Sequence, residues 1–108
     1  KLMFICFEKN KEYYRRLFEI TGQNSFGEFF AHYCEETFFC ILSRHPMKKM
    51  PCDLITPQSL AHYNALLLIE ILKLWLSSPK NVPAEKIFEA YQYIMRTPIL
   101  DMIQYPEI

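Results

Sequence analysis

The sequence predicts an all-α fold, a helical bundle of about five helices whose last two long helices form an antiparallel pair used for dimerisation. Three observations carry the helical part of that reading. Proline falls at positions 46, 51, 57, 79, 83, 98 and 106, and the stretches between these points are free of it. Helix interiors require this, because proline removes an amide donor and clashes with the preceding turn. Within those stretches apolar residues recur at three and four residues rather than alternating. Glycine is confined to Gly22 and Gly27 while about half the chain is apolar, which argues against both disorder and a glycine-rich phosphate loop.

The elements follow in order. From Lys1 to about Ile20 the pattern is helical with a break at Asn10, whose side chain is placed to cap the segment that starts at Lys11. Tyr13, Tyr14, Leu17, Phe18 and Ile20 give that segment a broad apolar face. Thr21-Gly22-Gln23-Asn24 reads as a turn, and Ser25 with Glu28 forms the S-x-x-E pattern of a capping box. A helix to about Arg44 follows, with Phe26, Phe29, Phe30, Tyr33, Cys34, Phe38, Ile41 and Leu42 at helical spacing. His45 to Thr56 is a loop. Thr56 then caps a helix to about Ser77, with Pro57 at the first helical position, where its missing amide hydrogen costs nothing. After a short connection at 78–82, Pro83 and Glu85 open a helix that ends near Thr97, with Ile87, Phe88, Tyr91, Ile94 and Met95 in one stripe. Ile99, Leu100, Met102 and Ile103 suggest one further turn.

With 108 residues, the chain reads as a single domain over 1–108. Lysine plus arginine equals aspartate plus glutamate at 12 each, so no net positive charge drives counterion release from nucleic acid. Arg15-Arg16 and Lys48-Lys49 are too short to make a basic footprint. Cys6, Cys34, Cys40 and Cys52 contain no CxxC pair and no secretory signal precedes them, so reduced thiols in the cytoplasm are expected. The opening at Lys1, inside an apolar helix, leads us to expect further sequence upstream.

Residues 60–76 read Leu-Ala-His-Tyr-Asn-Ala-Leu-Leu-Leu-Ile-Glu-Ile-Leu-Lys-Leu-Trp-Leu, apolar nearly all the way round. A surface helix buries one stripe, so such a helix needs a second burial surface. A membrane is disfavoured because Glu70 and Lys73 interrupt the run. Self-association is favoured, through Leu68, Ile71 and Trp75 on this helix and Ile87, Tyr91 and Ile94 on the next, as an isologous four-helix interface.

The order of these features resembles the C-terminal domain of TetR-type transcriptional regulators of bacteria. The residues that carry the resemblance are the apolar helix ending Lys73-Leu74-Trp75-Leu76, then Ser77-Ser78-Pro79, then Val82-Pro83-Ala84-Glu85-Lys86-Ile87. Asn10-Lys11-Glu12-Tyr13-Tyr14-Arg15-Arg16-Leu17-Phe18 is similar to an aromatic and basic helix of the same family. The family often has glycines in the penultimate helix, and Tyr63 to Ile69 has none. The resemblance implies a homodimer that encloses a pocket for a small effector, and DNA contact through an N-terminal helix-turn-helix outside these residues.

The pocket is expected between the two long central helices, from Phe30, Tyr33, Cys34, Thr37, Phe38, Tyr63, Asn64 and Leu67, a mostly apolar set with a few polar groups. No cofactor and no metal are called for. His32, Cys34, Cys40 and His45 are zinc-ligating types, but His32 and Cys34 lie two apart and diverge by roughly 200° around a helix. Nothing activates a nucleophile or pairs two carboxylates, so the chain is not expected to be an enzyme. The competing expectation is a helical protein–protein interaction module without a small-molecule ligand.

Overall fold

In a computed structural model, which describes residues 1–21 and 25–104, the chain forms helices α1 (Leu2–Lys9), α2 (Lys11–Glu19), α3 (Phe26–Ser43), α4 (Pro57–Ser77) and α5 (Ala84–Arg96). A single 3-10 turn follows at Ile99–Asp101. No strand occurs among the described residues. The expected turn at Gly22, Gln23 and Asn24 and the last proline, Pro106, lie outside them.

Side-chain caps start α3 and α4, whereas α1, α2 and α5 have none from their own N-cap residues. Ser25 Oγ accepts from the Glu28 amide at 3.2 Å. Thr56 Oγ1 accepts from the Ser59 amide at 3.2 Å while Ser59 Oγ accepts from the Thr56 amide at 3.0 Å, a reciprocal box. Asn10 makes no side-chain cap for α2. That helix is braced instead by Arg15, which donates from Nε to Glu12 at 3.0 Å and also reaches Glu19. The Arg15 hydrogen bond holds the Glu12 carboxyl down at about 2 against the opposing pull of desolvation.

Helix α3 packs along α4, α2 packs on both, and α1 lies chiefly against α5. The expectation that α4 and α5 pair along their lengths is not met, since α5 finds its main neighbour in α1. Phe7, Tyr14, Phe18, Phe26 and Phe30 interlock the first three helices, with Phe7 edge-on to Tyr14 at 4.4 Å and to Phe30 at 5.6 Å between centroids. Ala61, Ala65, Leu68, Ile69, Ile71, Leu72, Trp75 and Leu76 of α4 are buried. Helix α4 is long and apolar enough to cross a membrane by length and composition alone, yet here its buried face is the spine of the domain. Much of the apolar excess that pointed to a second copy is thus covered within one chain. Tyr63, Leu66 and Leu74 remain exposed.

Contacts between α1 and α5 bring the two ends of the chain together. The Glu8 carboxylate of α1 accepts from the Ala84 amide at 2.6 Å, satisfying an orphan donor at the start of α5, where Pro83 provides no side-chain cap. A negative charge at a helix N-terminus is also favoured by the helix dipole. Glu8→Ala is therefore expected to destabilise the fold by about 1 kcal/mol in chemical denaturation, with Glu8→Asp too short to restore it; an unchanged midpoint for Glu8→Ala would show that solvent caps α5 equally well.

Candidate functional site

A cavity of about 400 Å³ opens between α1, α3, α4 and α5. Buried Phe4, Leu68 and Tyr91 make its floor, half-buried Met3, Phe38 and Phe88 its walls, and exposed Lys1, Met95 and Arg96 its mouth. It is positioned by Trp75, which is 2% exposed and lies 6.0 Å from the Phe4 ring. Trp75 Nε1 donates to the Val82 carbonyl at 2.8 Å, fixing the connection that turns α4 into α5. Phe4 in turn stands 5.5 Å from Phe88 and 5.9 Å from Tyr91.

Tyr91 of the cavity and Cys34 of the adjoining core both have burial acting against their charged forms. Burial pushes the Tyr91 phenol up to about 12, with a further contribution from Cys34, and burial alone pushes the Cys34 thiol up to about 11. The Tyr91 hydroxyl is shut off from solvent and has no hydrogen-bond partner among the described residues. Two hollows of similar volume beside α3 have Glu35 and His32 in their linings. There His62 Nδ1 of α4 lies 2.9 Å from Glu35 Oε2 of α3.

The structure distributes the sequence-derived pocket residues over several surroundings. Of the eight, Phe38 alone lines the cavity. Cys34 is a buried neighbour in the same core, and Phe30 belongs to the aromatic cluster of the first three helices. Tyr33, Thr37 and Tyr63 are exposed. Thr37 Oγ1 donates to the Tyr33 carbonyl at 2.9 Å and Asn64 Nδ2 to the Leu60 carbonyl at 2.7 Å, so both polar groups are engaged on their own helices. Leu67 is half-buried. Of the six interface residues, Leu68, Ile71, Trp75 and Tyr91 are buried within the chain's own core, which removes them from the surface this conformation offers to a second copy. Ile87 is half-buried and Ile94 is exposed. The contributions of α1 and of Phe88 to a pocket were missed. The aromatic character of Phe4 and Phe88 was visible, but their proximity depends on a contact between the two ends of the chain. His32, Cys40 and His45 are exposed while Cys34 is buried, and no group of three His, Cys, Asp or Glu residues able to hold a metal occurs among the described residues.

The chain matches, over residues 1–97, a TetR-type family described as transcriptional regulator C-terminal region. It belongs to that family, and is a domain of transcriptional regulation rather than one of a family of enzymes. No curated protein and no solved structure matches it.

Two outcomes follow from the buried phenol. Tyr91→Phe removes an unpaired hydroxyl while keeping the ring, so unfolding should require about 1 kcal/mol more; a clear loss of stability would mean that the hydroxyl has a partner. Because Tyr91 and Cys34 both have raised values in the fold, their protons are held more tightly there than in the unfolded chain. Stability should be complete below about pH 9 and fall as pH rises towards 12, tracking unfolded values of 9.0 for Cys34 and 10.0 for Tyr91. A melting temperature flat from pH 9 to 12 would contradict this.

Proposed function

We propose that residues 1–108 form one effector-sensing and dimerisation domain of a soluble, cytoplasmic bacterial regulator, in which a small, largely apolar ligand alters DNA binding by an upstream helix-turn-helix. The observation that carries this reading is the family match over nearly the whole chain. The cavity beside Tyr91 supports the ligand, being of ordinary size for a small-molecule site and mostly apolar. The absence of net charge supports DNA contact by residues outside this segment. An effector would act by binding one of two dimer geometries more tightly than the other.

For dimerisation the supporting surface lies beside the interface read from the sequence. On α4, Tyr63, Leu67 and Leu74 fall within about 40° of one another at 100° per residue. Tyr63 and Leu74 are exposed and Leu67 is half-buried. On α5, Ile87, Ala90 and Ile94 share a stripe at spacings of three and four, on the flank away from Phe88 and Gln92, which line the cavity. Ile87 and Ile94 thus keep the role assigned to them, with Tyr63, Leu67 and Leu74 in place of the residues buried in the core. Burying apolar surface of this kind from two copies is what holds isologous helical dimers together.

Sedimentation of the chain at micromolar concentration tests the proposal. A dimer is expected, and Leu74→Glu combined with Ile94→Glu should yield a monomer of unchanged helical content, because carboxylates would be stranded in an apolar contact. A wild-type monomer would favour an interaction module that uses this face for a different protein, and a dimer that survives both substitutions would place the interface elsewhere.

A further inference from the structure

Among the described residues one buried side-chain polar atom has no hydrogen-bond partner, the hydroxyl of Tyr91, a cavity-lining residue only 7% exposed. A buried donor without an acceptor is costly, and native folds rarely carry one without a use. Its surroundings restrict what could satisfy it. Phe4, Leu68 and Phe88 offer no hydrogen bond, the nearby Cys34 thiol is only a weak acceptor, and the polar lining residues are half-buried Gln92 and the exposed cations Lys1 and Arg96. The floor therefore suits a ligand atom that accepts a hydrogen bond and bears no charge.

We propose that Tyr91 is the polar anchor of this cavity and that the effector class is an uncharged, largely apolar carbonyl compound. Its oxygen accepts from Tyr91 Oη, and its hydrocarbon body lies along Phe4, Phe38, Leu68 and Phe88. The inference rests on the ligand-sensing reading above and specifies its chemistry. A carbonyl oxygen only accepts, so it pairs the phenol and introduces no donor needing a partner of its own. A carboxylate would have to shed its water against aromatic and aliphatic walls with no cation at the floor. Because the hydroxyl is closed off by its neighbours, the ligand reaches it by displacing lining side chains. Met3 and Met95, with three side-chain torsions before the terminal methyl, are suited to that movement.

Three probes of similar shape test this: acetophenone, ethylbenzene and benzoate, each titrated into the chain at up to millimolar concentration and followed by NMR shifts of the cavity residues. Acetophenone is expected to bind most tightly, and Tyr91→Phe should weaken it about tenfold, the loss of one buried hydrogen bond, while leaving ethylbenzene unchanged or tighter. Equal binding of acetophenone and ethylbenzene, in both wild type and Tyr91→Phe, would overturn the anchor while leaving an apolar sensing cavity in place. Preference for benzoate would overturn the uncharged class and assign selection to Lys1 and Arg96. No shift at the cavity with any of the three would overturn the anchor and the ligand-sensing reading together.

Discussion

The packing of Trp75 against Phe4 is the contact on which the arrangement depends. Trp75 lies near the end of α4 and Phe4 in α1, and neither helix would hold α5 in place without the other. The indole buries its ring in the core, gives its one donor to Val82, and carries Lys11 over its face at 5.6 Å from the ring centroid. A large aromatic side chain with a single polar handle suits such a junction, because burial of the ring and direction of the hydrogen bond are satisfied together. Glu8 then pins the start of α5 from the same helix that contributes Phe4. Two ends of the sequence thus come to form one wall.

That wall bounds the cavity. Helices α3 and α4 pack closely along one another, whereas α5 meets α4 little and leans on short α1. Space opens where the two packings diverge, lined by Phe38 and Leu68 from the close pair and by Phe4, Phe88 and Tyr91 from the looser one. On the proposed reading, a ligand there would touch elements whose relative position it could bias, by differential affinity for two positions. The apolar surface left on Tyr63, Leu74 and Ile94 lies on α4 and α5, two of the four helices that line that space, so on the proposed reading a change in their spacing would reach a second copy.

The helices were legible in the sequence because their signals are local. Ser25, Thr56 and Pro57 mark starts that the structure reproduces, and the proline-free runs give lengths close to those observed. Family membership was legible from the order of features between Lys73 and Ile87. The site was less so. Leu68, Ile71 and Trp75 read as surplus on a helix apolar on several faces, and the periodicity of one helix does not say how many neighbours it has. Here α2, α3 and α5 all contact α4, and Leu68, Ile71 and Trp75 are buried within the chain itself. The cavity needed the meeting of α1 with α5, residues some 80 apart, of which Lys1 with Glu85 is a surface trace at 3.1 Å. The unpaired hydroxyl of Tyr91 is likewise a property of its surroundings, since any tyrosine in a helical stripe looks the same until its neighbours are known.

The central claim is that the divergence of α5 from α4 leaves an apolar space able to admit a small molecule. Methyl NMR of the chain under increasing xenon pressure addresses it most directly, because xenon enters apolar cavities regardless of polar chemistry. The account predicts saturating shifts at Met3, Leu68 and Met95, with little response at exposed Leu54 or Ile99. Shifts confined to such exposed side chains, or rising linearly without saturation at the cavity methyls, would contradict it.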